Sequence, residues 1–120
     1  MRPDRFFLLA GLLFGLAFAV VTPPFQAPDE PAHFYRSYAI SEGDLLGRRL
    51  GGEWGAMLPA SLRALDTELR GDLPGRPELK IRPETILRAL RVPLAEERRV
   101  FVDYRTSAQL SCLPYLPQAA

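Results

Sequence analysis

Four side chains with chemistry to offer fall close together in the segment PDEPAHFYR: Asp29, Glu30, His33 and Arg36. A carboxylate beside a hydroxyl can take its proton as the oxygen attacks, which is general-base work, and a nearby guanidinium can hold a phosphate leaving group. The candidate catalytic acids are therefore Asp29 and Glu30, and the candidate substrate-binding groups are His33 and Arg36. The same residue types also suit a plain helix start: Asp29 as N-cap, Glu30 at the positive end of the helix dipole, and Arg36 paired with an acid one turn away. Both uses are compatible with the residues alone. His33 could join Asp29 or Glu30 on a metal, but no second His or Cys lies nearby, so no metal ligands and no cofactor are assigned.

Those side chains need a scaffold, and prolines supply its beginning. Pro23, Pro24, Pro28 and Pro31 keep the backbone extended and remove amide donors, giving a stiff entry to the motif. A helix is expected from about 30 to 42: Pro31 is tolerated in the first turn, and Gly43 offers a stop. At helical spacing Asp29, His33, Arg36 and Ile40 fall near one face.

Ahead of the prolines, FFLLAGLLFGLAFAVV carries no charge and follows Arg2 and Arg5. With Thr22 and Pro23 it is just long enough to cross a thin bilayer, and the positive-inside rule keeps residues 1–5 in the cytoplasm and places Pro23 and everything after it outside. A cleaved signal peptide fits the same pattern, with Ala17, Phe18 and Ala19 as an A-x-A-like site. Gly11 and Gly15 would let another helix approach closely, a pairing that the high glycine content of membrane helices also produces by itself.

Fifteen Lys and Arg against fourteen Asp and Glu leave almost no net charge, which argues against a nucleic-acid partner. The lone Cys112 permits no internal disulfide. No phosphate-binding glycine loop, zinc-protease motif or nucleophile elbow occurs. Residues 44–55 are Gly-rich and read as irregular, with Trp54 suited to a headgroup-level position or a small buried cluster. Leu58, Leu62, Leu65 and Leu69 at helical spacing predict an amphipathic helix near 59–70, with Pro59 at N1, Gly71 as its stop and Asp66 paired to Arg70 on its wet side. Residues 72–82 read as a connector and 83–91 as another short helix ended by Pro93. Val100 to Tyr104 alternates like a strand, but with no clear partner it is expected to be extended chain packed on helices. Acids dominate from Asp29 to Asp72 and arginines from Arg76 to Arg105, so the second half could face lipid or sugar phosphates, or be a solvated surface paired with acids such as Glu96 and Asp103.

The run PPFQAPDEPAHFYRSYAISEGD resembles the start of a bacterial family of multispanning membrane proteins of unknown function, the domain-of-unknown-function family 2142. Gly51-Gly52 leading to Leu58-Pro59 with Ser61-Leu62, and the closing LPYLPQ, match its pattern as well. The family is similar to GT-C-fold glycosyltransferases, whose first external loop carries an acidic motif that acts on the acceptor while a polyprenyl-phosphate lipid donates the sugar. The resemblance implies a bacterial inner-membrane protein, mainly α, with Asp29 and Glu30 as the acid pair, Asp29 the base, and His33 and Arg36 in the same block. It favours a retained helix over residues 6–22 instead of a signal peptide, an extracytoplasmic loop region over 23–112, and a second apolar segment beginning at 113–120. A family that continues through many membrane helices makes this chain an expected N-terminal fragment of a truncated GT-C-like fold.

Overall fold

The computed structural model describes residues 2–71, 76 and 80–119. The connector expected at 72–82 falls largely outside them. An apolar helix α1 (Pro3–Val21) leads into a polar domain built from α2 (Glu30–Ser41), β1 (Arg48–Leu50), β2 (Glu53–Pro59), α3 (Ala60–Arg70), α4 (Pro83–Ala89), β3 (Arg99–Asp103), the single turn α5 (Arg105–Ala108), a 3-10 turn at Leu113–Tyr115, and α6 (Leu116–Ala119). Pro3 opens α1 at a position where its missing N–H costs nothing, and no residue of that helix is buried. Its mean hydropathy of 2.0 over an 18-residue window makes it long and apolar enough to cross a membrane.

The domain departs from its sequence-based expectation in the stretch thought irregular. Residues there form a hairpin: β1 pairs antiparallel with β2 in the register Arg48↔Gly55 to Leu50↔Glu53, and Gly51 and Gly52, at φ 59° and 91°, make the two-residue turn. Only glycine adopts that pair of left-handed conformations without strain, and it matches the twist of the flanking strands. The expectation that residues 100–104 lack a partner is also corrected. β3 pairs antiparallel with β2, from Gly55↔Asp103 to Pro59↔Arg99, giving a three-stranded sheet in the order β1-β2-β3. Gly55 permits that contact, since a Cβ there would sit 1.9 Å from the Val102 carbonyl oxygen. Leu58 and Pro59, expected within or beside the helix near 59–70, end β2 instead, and α3 begins at Ala60.

Two apolar clusters hold the domain together. The larger places Tyr35 and Ala39 of α2 on Ala56 and Leu58 of β2 and on Val102 and Tyr104. The smaller joins Phe25, Leu69 and Ala89, with Phe34 packed against both. Alternation along β3 explains the first: Val102 and Tyr104 face α2, whereas Asp103 is exposed. Leucines 62 and 69 explain α3, each buried as its helical spacing predicts. Trp54 lies opposite Arg49 on the hairpin and is 37% exposed, so it is part of neither cluster.

Candidate functional site

The motif sits where α1 gives way to α2. After Val21 the chain turns through Thr22 to Asp29, and Phe25 holds a left-handed φ of 62° while its ring is buried. Such a conformation is costly for a bulky residue and persists only where packing over-determines it. Packing does so here: Phe25 meets Phe34 edge to face at 5.2 Å and reaches Leu69 and Ala89.

Asp29 occupies the N-cap position of α2, but its carboxylate makes no capping hydrogen bond. The expected capping role is therefore absent. An N-cap side chain reaches the N2 or N3 amide from an extended backbone, and Asp29, at φ −93° and ψ −9°, is already helical. Its backbone carbonyl instead accepts from the His33 N–H at 3.1 Å. The Asp29 side chain is exposed. Glu30 turns back toward the preceding loop, its Oε2 accepting weakly from the Ala27 N–H at 3.4 Å.

His33 is also on the outer side, one turn along. Its Nδ1 lies 2.6 Å from the Tyr115 hydroxyl, and the two rings stack with centroids 5.8 Å apart. Burial pushes the Tyr115 hydroxyl above the ordinary tyrosine range, so it stays protonated and able to donate. When it donates to Nδ1, the ring proton of neutral His33 resides on Nε2. Glu30, His33, Phe34, Ser37 and Tyr38 line one groove of about 380 Å³ together with Phe25, Ser41 and Gln118.

Arg36 goes the other way. It is 2% exposed, on the side of α2 that also buries Tyr35, Ala39 and Ile40. The expected ion pair with an acid one turn away does not form. Nη2 donates to the Leu45 carbonyl at 2.6 Å and more distantly to that of Leu110 at 3.5 Å, while Cζ lies 5.9 Å from the centroid of the Tyr104 ring. Nε and Nη1 have no hydrogen-bond partner among the described residues. Burial pushes the Tyr104 hydroxyl upward, with the adjacent guanidinium pulling the other way. So the structure brings Glu30 and His33 to one groove, leaves Asp29 exposed at its end of α2, and places Arg36 in the interior. Helical spacing alone groups Asp29, His33 and Arg36, but the helix begins only at Glu30, and the edge of its buried side falls between exposed His33 and buried Arg36.

A second polar contact escaped sequence reasoning. The Tyr35 hydroxyl donates to Asp66 at 2.9 Å, and Asp66 also faces Arg70 at 2.8 Å. The Asp66–Arg70 pair was expected on the wet side of α3, yet it is largely covered by Tyr35, so it joins α2 to α3. Burial first, and the Asp66 charge second, drive the Tyr35 hydroxyl well above its ordinary value. Elsewhere Arg99 pairs with Glu42 and Arg105 with Glu53, so arginines of the basic half meet acids of the acidic half, and Arg105 also pairs with Asp103 of its own half. Among the described residues no group of three metal-ligating side chains converges.

An apolar helix long enough to cross a bilayer is joined by a packed turn to a helix-rich domain with a small sheet. A family model described as predicted membrane protein, DUF2142, matches residues 12–120, and the chain belongs to that family. No curated protein matches it, and no solved structure does.

Proposed function

We propose that this chain supplies the first membrane helix and first external loop of a multispanning, GT-C-like glycosyltransferase of the bacterial inner membrane, which moves a sugar from a polyprenyl-phosphate donor to a cell-envelope acceptor. Arg2 and Arg5 stay on the cytoplasmic side and the domain lies outside. The observation that carries this reading is the state of Asp29: an exposed carboxylate, not used as a helix cap, at the point where the chain leaves α1. In the step proposed, an acceptor hydroxyl loses its proton to Asp29 as its oxygen bonds to the anomeric carbon. The bond from that carbon to the phosphate oxygen breaks, and polyprenyl phosphate leaves with the electron pair. Glu30 and His33 line the adjoining groove and hold the acceptor, whereas buried Arg36 takes no direct part. Walls for the lipid phosphate come from further membrane helices, since one helix cannot enclose such a site.

Asp29→Asn in the full-length protein tests it. Transfer is expected to fall by about two to four orders of magnitude, as for loss of a general base, while membrane insertion is normal. Unchanged transfer rejects Asp29 as the base. The groove also favours a second reading, a non-catalytic envelope protein whose external loop binds a glycan or other partner; there Asp29→Asn leaves function intact while changes in the groove remove it.

A further inference from the structure

The groove on α2 has a chemistry that selects among ligands. Its volume of about 380 Å³ is that of a small-molecule site. Among the described residues no lysine or arginine lines it, and Glu30 does. Phosphate sites are built on guanidinium, ammonium or clustered backbone amides, so a phosphate placed here would meet a carboxylate with no cation to offset it. The nearest arginine along the helix, Arg36, is buried in the interior, where its Nη2 donates to the Leu45 and Leu110 carbonyls, and does not line the groove.

What the groove does offer is a mixture of acceptors and donors along one side of a helix, walled by rings. Only Oε2 of Glu30 is engaged, and weakly. The Nδ1 of His33 is held by Tyr115, and the Ser37 hydroxyl has one proton to share between the His33 carbonyl at 2.9 Å and Gln118 Oε1 at 3.3 Å, leaving the Gln118 amide NH2 for a ligand. Hydroxyl groups, each both donor and acceptor, match such a set, and Phe34 and Tyr38 in the lining supply apolar aromatic surface for the C–H groups of a pyranose. We propose that this groove binds an uncharged sugar unit, the acceptor end of the transfer, and excludes the phosphate-bearing donor. The word acceptor rests on the transferase reading; the binding itself does not.

His33 is the only histidine in the chain, so its imidazole gives a single, unambiguous NMR signal inside the groove. The full chain in detergent micelles is titrated separately with N-acetylglucosamine, methyl glucoside and inorganic pyrophosphate. A saturable shift of the His33 signal with at least one sugar, and none with pyrophosphate, is expected. Glu30→Gln and Gln118→Ala each weaken the sugar response by about tenfold, the loss of one hydrogen bond. A His33 response to pyrophosphate, silence with both sugars, or a sugar response unaltered in both variants overturns the proposal. Sugar binding that persists beside full transferase activity in Asp29→Asn sinks the transferase reading and leaves the groove assignment standing. Loss of transfer in Asp29→Asn with no sugar response does the reverse.

Discussion

α1 is built almost entirely of apolar residues and buries none of them, whereas α2, with Glu30, His33, Arg36 and two serines, buries five of its twelve. The contrast shows that an apolar residue is buried only where a partner surface meets it, and that a charged one, Arg36, can be carried in with its apolar neighbours. α2 lies on Ala56, Leu58 and Tyr104 because Tyr35 and Ala39 fit there, and Arg36 is carried inward with them. α1 has no such partner surface, and its exposed leucines and phenylalanines are tolerable where the solvent is hydrocarbon.

The sharpest way to break that contrast is to truncate a leucine in each region. Leu58→Ala is expected to cost about 3–4 kcal/mol, since the side chain is fully buried and leaves a cavity, whereas Leu12→Ala leaves unfolding unchanged. Denaturant unfolding of the full chain in micelles, followed by Trp54 fluorescence, reads both. An equal loss at the two sites would mean that α1 packs on the domain. Next in size is a charge in α1: Leu12→Arg should raise the cost of membrane insertion by about 3 kcal/mol, read as the inserted fraction in a glycosylation-mapping assay. Insertion at the unaltered level would remove α1 as a membrane segment.

Smaller effects probe the polar interior of α2. Tyr35→Phe should cost about 1 kcal/mol at neutral pH through the lost hydrogen bond to Asp66. The same hydroxyl predicts a pH dependence. Its folded value is raised above the ordinary 10.0, so on alkalinisation the unfolded chain releases the proton first. Stability is therefore full below that value and falls as pH rises past it, and Tyr35→Phe should make the decline shallower. A decline of equal slope in the variant would assign it to other tyrosines, such as Tyr104, also raised by burial. Least of all, Arg99→Ala should barely move the unfolding midpoint, because its pair with Glu42 is partly solvated and screened by salt.

Much of the helical layout was legible because helices announce themselves locally: Pro31, Pro83, Gly71 and the 62–69 leucine spacing all mark real starts, stops or buried faces. The sheet was missed because pairing is not local. Gly51-Gly52 was read as loop composition when, flanked by RRL and EWG, it was a hairpin turn, and that signal would have supplied β3 with its partner. At the candidate site, residue types single out Asp29, Glu30, His33 and Arg36, but nothing in the spacing reveals that Arg36 turns inward, since its burial depends on a sheet contributed by residues 48–59 and 99–103. The Tyr115 contact to His33 spans 82 positions and has no sequence signature.

The left-handed turn at Phe25 has a mechanical meaning. With α1 unburied, the short Thr22–Asp29 segment carries whatever force passes between helix and domain, and Phe25, wedged against Phe34, Leu69 and Ala89, is its bearing. Were α1 to tilt, as a membrane helix does to match lipid thickness, the motion would enter the domain at that one ring, a few residues from Asp29.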